Sequence, residues 1–352
     1  MNISLIIVTY SLVFLLAFSV ALFLYLILRR VVIQQQETLF QEKYQKIESE
    51  ILKLIASPQQ GLALEIAQKY KSFPNVLTKV LFDYIEQIKG QATDHLKKIF
   101  DYALKEKCLK DIYSRRLIKR LKATHLFVIF SGPSDTPHIL KLLNDKPVVK
   151  LVAINALSQI PSSRALSYIF QAFENDSVSN ARTYMNIMYG LGDKIETHVN
   201  EYLKKPLSTE KLALMIELAG TIPLRSLSQD IISFVDHPEK EIRIKVARAL
   251  GHMRISASLD TLIRLSDDEA WEVGAQAMKS LGKLEDVRAK KVLSKGMFSP
   301  FWHVRFNAGH GLANLGEPGL KHLQKVKKQK KDAYASDMAN MVLDEVFYSG
   351  EA

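Results

Sequence analysis

The hydrophobic pattern of the chain changes once, near residue 30. Before that point an apolar run extends from Ile3 to Leu28 without a charged side chain, and after it apolar and polar residues alternate at helical spacing. A bilayer core needs about 20 helical residues, so this run predicts a transmembrane helix. A signal peptide, the alternative, has a basic start and an apolar core of about 7–15 residues. No Lys or Arg precedes this run, and it continues past the cleavage-like Ser19-Val20-Ala21. We therefore predict a retained anchor over residues 1–30.

The charges that flank the apolar run predict its orientation. Arg29 and Arg30 follow it directly, whereas no Lys or Arg lies before it. Positive residues stay on the cytoplasmic side of a span. The N-terminus is therefore predicted to lie on the side of a bacterial inner membrane that faces away from the cytoplasm. The chain that follows the span is predicted to lie in the cytoplasm. Cys108 is the only cysteine, which excludes an internal disulfide and cysteine-pair zinc sites and agrees with a reducing compartment.

Residues 31–57 predict a juxtamembrane helix that continues from the anchor. Its apolar residues alternate at spacings of four and three, at Phe40, Tyr44, Ile47, Ile51 and Leu54. Such a stripe either packs on the following helices or pairs two copies of the chain as a homodimer. The stripe is shorter than the roughly three or four heptads that make a coiled coil dependable. Packing is favoured, and both alternatives stay open.

An internal repeat of 31 residues appears when residues 241–251 are laid over the downstream chain. Its four columns are Ile242, Val273 and Val304; Val246, Ala277 and Ala308; Leu250, Leu281 and Leu312; and Gly251, Gly282 and Ala313. Upstream, Gly220, Gly190 and Ser158 hold the same small-residue position at nearly the same spacing. The register predicts six units over residues 136–329.

Each unit predicts a pair of antiparallel helices. In the second helix Ile242, Val246 and Leu250 fall on one face. Neither helix buries that face alone, so neighbouring units must stack into a solenoid. Residues 58–135 predict a helical cap or degenerate repeats, and residues 330–352 predict a C-terminal capping helix. No stretch alternates with the period of a β-strand.

Two residue types are predicted to define the helix ends. Gly251 and Gly282 suit the left-handed conformation that ends the second helix of a unit. Asp236 and Asp267 are placed to cap the next helix.

The repeat resembles a known family. Asp236-His-Pro-Glu-Lys-Glu-Ile-Arg243, followed by Val246-Ala247 and Ala249-Leu250-Gly251, is similar to a HEAT repeat of the short bacterial type, the type found in bilin lyases. The next units depart from the pattern at Gly274 and, upstream, at Leu212, where the family usually has Arg. The resemblance implies an all-α fold, a right-handed α-solenoid, and an adaptor that binds other proteins. One client class implied by analogy is a membrane enzyme such as a polysaccharide-making glycosyltransferase.

Positive charge is unevenly distributed along a chain of net charge +11. Residues 89–122 hold eleven Lys and Arg against four Asp and Glu, and residues 321–331 hold six Lys and no acid. Such patches are either solvated helix faces or binding surfaces for anionic lipid, an acidic protein partner or nucleic acid. Of these alternatives, nucleic acid is the least favoured. Near an anchor, lipid contact is the functional alternative. The candidate membrane-surface residues are Arg29, Arg30, Arg115, Arg116, Lys119 and Arg120.

Candidate protein-binding residues recur in the repeats. Trp271 and Trp302 occupy equivalent positions, with Lys240 in the unit before, and Phe301 lies beside Trp302. Trp and Arg are enriched among interface hot spots, although packing between repeats is the plainer explanation. Arg243 and Arg305 recur one residue after the first apolar column. Both either bind acidic ligands or bridge neighbouring repeats, and the resemblance favours bridging.

Enzyme signatures are absent from the sequence. No Gly-rich phosphate loop follows a strand, and neither a G-x-S-x-G elbow nor an H-E-x-x-H motif occurs. His303 and His310 share a predicted helix without a third metal ligand, and basic neighbours are expected to lower the pKa of Cys108. We predict no catalytic, cofactor or metal residues and a protein that is not an enzyme. The alternatives are a bilin lyase-like or alkylpurine DNA glycosylase-like enzyme, or a nucleic-acid-binding protein.

Overall fold

A computed structural model describes residues 3–57, 59, 61–85, 91–160, 162–177, 180–329 and 331–349. Within these ranges the chain is helical and contains no strand. It divides into two compact units, Met1–Gly132 and Pro133–Ala352. The all-α fold class predicted from the sequence is confirmed.

The described residues of the first unit form six α-helices, and a π-helical turn, Phe100–Leu104, joins the fourth to the fifth. They are α1 Ile3–Ala56, α2 Leu62–Tyr70, α3 Pro74–Ile85, α4 Gln91–Ile99, α5 Lys105–Asp111 and α6 Leu117–Phe130. Their core is rich in aromatic rings, with Phe100, Phe127 and Phe130 fully buried against one another.

Helix α1 has two halves of opposite character. Its large apolar side chains from Tyr10 to Ile33 are all exposed. Among the described residues, α1 is the one helix that is long and apolar enough to cross a membrane. A membrane anchor and a signal sequence both have this property. Further along, Ile47, Ile51 and Leu54 are fully buried against helices of the same unit. The predicted juxtamembrane stripe therefore packs on α2, α3 and α4.

The second unit is a stack of helix pairs. The described residues form seven pairs, α7 Thr136–Lys141 with α8 Pro147–Ser158, α9 Ser163–Asn175 with α10 Ala181–Leu191, α11 Glu196–Leu203 with α12 Thr209–Thr221, α13 Ser228–Ile232 with α14 Lys240–Met253, α15 Leu259–Leu265 with α16 Trp271–Leu284, α17 Lys290–Gly296 with α18 Trp302–Asn314, and α19 Glu317–Lys327 with α20 Ala333–Ser349. The C-terminal helix, predicted as a cap, is thus the second helix of a seventh pair. Ala335 and Ala339 continue the buried columns of Val304 and Ala308 at the same spacing.

The two layers of the stack pack differently. Helices α12, α14, α16 and α18 lie directly against one another, whereas α13, α15 and α17 pack mainly on these second helices. Ile242, Val246 and Leu250 are fully buried between the layers. The second helices thus form one continuous layer. We call the solvent-facing surface of this layer the inner surface, after the usual arrangement of a helical solenoid.

Gly251 and Gly282 do not end their helices, contrary to the prediction. Helices α14 and α16 continue past them, and the left-handed residues are Arg254 (φ 50°) and Glu285 (φ 55°). The glycines instead lie where neighbouring second helices approach most closely. A Cβ atom on Gly282 would lie 2.6 Å from Cα of Gly311 in the next repeat. A left-handed turn and a close contact between helices both favour a residue without a side chain. A recurring glycine is therefore compatible with either.

Asp236 and Asp267 do not cap the next helix either. Asp267 forms an ion pair with Lys295 at 2.7 Å, and Asp236 forms one with Arg264. Both partners lie on or beside the first helix of the following repeat. A turn of several residues separates each aspartate from the second helix, so its carboxylate reaches the neighbouring repeat instead. In the turn before α16 it is Asp268 whose carboxylate accepts a hydrogen bond, from the Ala270 N–H at 2.9 Å.

Candidate functional site

Aromatic rings from two successive repeats meet at the start of α16 and α18. Trp271 is the first residue of α16 and stacks on Phe301 with ring centroids 5.5 Å apart and on His303 at 5.3 Å. Trp302, the first residue of α18, stacks on Phe306 at 4.8 Å and meets His303 edge-on at 5.1 Å. We call these five residues the aromatic cluster.

The aromatic cluster both packs the repeats together and faces solvent. Trp271 is half-buried, which agrees with the packing alternative. Trp302 is 49% exposed and Phe301 is 44% exposed. Rings of this size held rigidly at a surface lose little conformational entropy on binding, and a contiguous exposed apolar patch is typical of an interaction site.

Lys240 begins α14, one repeat before Trp271. Its ammonium group lies 2.6 Å from Glu272 of the next repeat, and this hydrogen bond raises the pKa of Lys240. The three equivalent positions therefore carry an ion-paired lysine and two tryptophans along one edge of the inner layer.

Arg243 points into the fold. Its guanidinium group donates to both carboxylate oxygens of Asp268, at 2.7 and 2.8 Å, and to the carbonyl oxygens of His237 and Pro238. The Arg243 and Asp268 side chains are each only 9% exposed. The geometry favours the bridging role that the family resemblance implies.

Arg305 is also buried. It donates to the carbonyl oxygens of Ser299 and Pro300 at 2.6 and 3.1 Å, and its guanidinium carbon lies 5.3 Å from the Tyr334 ring centroid. The structure therefore brings together Trp271, Phe301 and Trp302 of the six predicted partner-binding residues. It places Lys240 on the same edge and directs both arginines inward.

A row of basic side chains that the sequence prediction missed lies on the inner surface. Arg248 and His252 are one turn apart on α14, and Lys279 and Lys283 occupy the same two positions on α16. We call these four residues the basic strip. None is buried. The 31-residue register could have revealed this row, because Arg248 aligns with Lys279 and His252 aligns with Lys283 in the next repeat.

A cavity of about 740 Å³ opens between the first part of α9, with Ser163 and Ser167, and α11, with Thr197 and Glu201. In it the Ser167 hydroxyl lies 3.1 Å from Nε2 of His198, whose ring stacks on Phe170. Nδ1 of His198 is buried without a hydrogen-bond partner in the described chain. Because no carboxylate of a described residue orients the imidazole, the pair has no third group of a nucleophilic triad in this part of the structure.

The predicted membrane-surface residues lie in the first unit. Arg29 and Arg30 are exposed on α1 directly after its apolar part. Arg115, Arg116 and Lys119 are exposed where α6 begins, around Ile118, which is 61% exposed. Lys89 lies outside the described residues.

Not all of these cations are available to a ligand. Arg120 donates to the Ser114 carbonyl oxygen at 2.7 Å and so stabilises the loop before α6. Lys119 is 3.9 Å from Asp111. Contact with lipid stays a prediction.

Cys108 differs from its expected state. Its thiol is buried, and this burial raises its pKa to about 12, which outweighs the lowering effect of Lys107. His303 and His310 are each part of an aromatic contact. The described residues contain no group of three His, Cys, Asp or Glu arranged to hold a metal ion.

Comparison with known proteins finds a family model that matches part of the second unit. The sequence profile of HEAT repeats matches residues 228–300. A search of the curated proteins finds no match. Solved structures similar to this chain include an engineered protein, with 16% identity, 85% of this chain and 98% of that one covered, and a TM-score of 0.38.

Two further solved structures are similar. One is the complex of CpcE and CpcF of phycocyanin lyase from Nostoc sp., with 14% identity, coverage of 68% of this chain and 94% of that one, and a TM-score of 0.32. The other is a designed armadillo repeat protein, with 16% identity, coverage of 59% and 98%, and a TM-score of 0.32. Identities this low carry no information on ligand or partner.

Proposed function

We propose that the chain is a membrane-anchored scaffold whose HEAT-type solenoid binds other proteins in the cytoplasm and catalyses no reaction. The exposed aromatic cluster carries this proposal. A HEAT-type stack presents a long surface built from successive repeats, and here two repeats contribute rigid rings to one patch. A membrane enzyme complex, such as one containing a glycosyltransferase, is the client class that the family analogy suggests.

Replacing Trp302 with Ala is expected to remove an anchor of the protein interface. Central aromatic residues of interfaces contribute about 2 kcal/mol or more, which corresponds to roughly 30-fold weaker binding. The measurement is quantitative recovery of crosslinked proteins with the full chain from detergent-solubilised membranes. We expect a defined protein partner to be recovered with the wild type and lost with Trp302→Ala.

The matched control is Tyr348→Ala, which removes an aromatic ring that is 72% exposed and stands outside the aromatic cluster, beside Phe347. This variant should retain the partner. Equal recovery with both variants, at unchanged thermal stability, would show that the aromatic cluster does not bind protein.

The anchor is supported by the continuity of α1. The exposed apolar part and the buried part, with Ile47 and Ile51, belong to one unbroken helix. Removal of the apolar part as a signal peptide would cut this helix. Arg29 and Arg30 favour the orientation with the second half of α1 in the cytoplasm. The exposed Arg115 and Arg116 are the side chains that we propose contact anionic headgroups.

Labelling of an Ile118→Cys variant tests both membrane claims. Cys108 gives little background because it is buried and its pKa is raised to about 12. We expect a membrane-impermeant maleimide to label position 118 only after spheroplasts are permeabilised. In reconstituted vesicles, anionic lipid should slow this labelling several-fold relative to neutral lipid, because headgroups cover the loop.

The control is Tyr348→Cys, an exposed position in the second unit whose labelling rate should not depend on lipid charge. Labelling of position 118 in intact spheroplasts would contradict the orientation. Equal rates in the two lipids would contradict the surface contact.

A further inference from the structure

The basic strip has no acidic partner among the described residues, whereas four other cations of the same and adjacent repeats do. Lys240, Lys245, Arg264 and Lys295 each form an ion pair with a carboxylate of a neighbouring repeat. Lys279 and Lys283 have no carboxylate partner in the described chain, and Arg248 contacts only the neutral Gln276, at 3.3 Å. The strip therefore carries charge that the fold leaves uncompensated.

Two members of the strip have a lowered pKa, to which the other positive charges of the strip contribute after burial. Burial and then the nearby charges of Lys283 and Arg248 lower the pKa of His252, and Glu217 opposes this only weakly. Burial, followed by Lys279, Arg254 and Arg248, lowers the pKa of Lys283. The positive charges of Arg248, Lys279 and Lys283 therefore lie near one another, and a ligand that brings negative charge would relieve their repulsion.

We infer that the basic strip binds an acidic stretch of the protein partner, rich in Asp and Glu. This inference rests on the proposed scaffold function and adds the chemistry of the segment that the inner surface takes. Trp271 begins the helix whose other end carries Lys283. At about 1.5 Å per helical residue, the two lie some 18 Å apart, so one segment can reach both the aromatic cluster and the strip.

The dimensions of the strip fit a short peptide. Packed helices lie about 8–10 Å apart, and one helical turn rises about 5.4 Å. An extended segment advances about 3.3 Å per residue, so three or four residues cross the strip.

The surrounding charges argue against a nucleic acid. Glu217 occupies the column of Arg248 and Lys279 one repeat earlier, and Glu241 and Glu272 lie on the same helix faces toward the aromatic cluster. A continuous phosphate backbone would have to pass over these carboxylates. Discrete acidic side chains avoid them.

The test uses the full chain in detergent and a fluorescent peptide that contains four consecutive Glu residues. Fluorescence anisotropy measures its Kd for the wild type and for the double variant Lys279→Glu with Lys283→Glu. We expect the double variant to bind at least 10-fold more weakly. A peptide with Gln in place of Glu should not bind the wild type.

The matched control is Lys291→Glu with Lys325→Glu, which changes the net charge equally on the outer helices α17 and α19. Its Kd should stay within two-fold of the wild-type value. If both double variants weaken peptide binding equally, the binding depends on the overall charge of the protein and the inference is overturned. An oligonucleotide or anionic vesicle that binds the strip more tightly than the peptide would overturn it as well.

The Trp302→Ala variant separates this inference from the proposed function. Peptide binding that needs Lys279 and Lys283 supports the inference. If Trp302→Ala abolishes partner recovery while the strip variant retains it fully, the scaffold function stands and the acidic segment is ruled out. If Trp302→Ala has no effect on recovery, the aromatic interface fails, whatever the peptide does.

Discussion

Replacing Arg243 with Ala is expected to lower the free energy of unfolding of the second unit by about 3–5 kcal/mol. The substitution removes both charged hydrogen bonds to Asp268 and leaves its buried carboxylate without its cationic partner, with the Ala270 N–H still donating to it. Urea unfolding followed by tryptophan fluorescence measures the effect, because the chain has two tryptophans and both lie in adjacent repeats of this unit.

The control is Arg264→Ala, which breaks the ion pair with Asp236. The side chains of that pair are 62% and 68% exposed, so water already screens the charges and the expected loss is below about 1 kcal/mol. Similar losses in the two variants would show that burial of Asp268 does not set the energy of the bridge.

The pH dependence of the Arg243→Ala effect follows from the pKa of Asp268. Burial raises this pKa, but the hydrogen bonds from Arg243 and from the Ala270 amide outweigh it, so the pKa is lowered in the folded protein. A lowered carboxyl pKa contributes stability above the unfolded value of about 3.9, and this contribution is lost as the pH falls through the folded value. The difference between wild type and variant should therefore be full at neutral pH and shrink below about pH 4.

Replacing Gly282 with Ala is expected to destabilise the second unit by about 1–3 kcal/mol. Its new Cβ would lie 2.6 Å from Cα of Gly311, a backbone atom that cannot move aside without separating α16 from α18. Alanine favours a helix over glycine by about 1 kcal/mol, and the clash must exceed that gain. The same fluorescence assay measures the change.

Gly190→Ala is the control at the equivalent position of an earlier repeat. A Cβ atom there has nothing within 4 Å, so the helix propensity of alanine should stabilise the protein by about 0.5–1 kcal/mol. The two substitutions are thus expected to have opposite signs. Stabilisation by Gly282→Ala would refute the close helix contact as the reason for glycine in this column.

Periodicity predicted the parts of the site that depend on register. Equivalent positions of Lys240, Trp271 and Trp302 follow from the 31-residue spacing, and all three begin second helices. The roles of the glycines could not be predicted in the same way. A left-handed turn and a helix crossing both require a missing side chain, and only the position of the neighbouring helix distinguishes them.

Long-range pairs escaped prediction for a related reason. Arg243 was open to two interpretations because its partner, Asp268, lies in the next repeat and beside other acids, Asp267 and Glu269. The fold selects Asp268 because the turn before α16 directs that carboxylate toward Arg243, while Asp267 reaches Lys295.

The sequence by itself determined the apolar run at the N-terminus, the helix pairs and their 31-residue register, because these depend on local spacing of apolar residues and on repetition. Tertiary structure alone decided which equivalent residues face inward. It buried Arg243, stacked Trp271 on rings of the next repeat, and aligned Arg248 with Lys279 on the inner surface. The physical reason is that a column in a repeat specifies a position on a helix, whereas burial and charge compensation depend on the neighbouring helix against which that position packs.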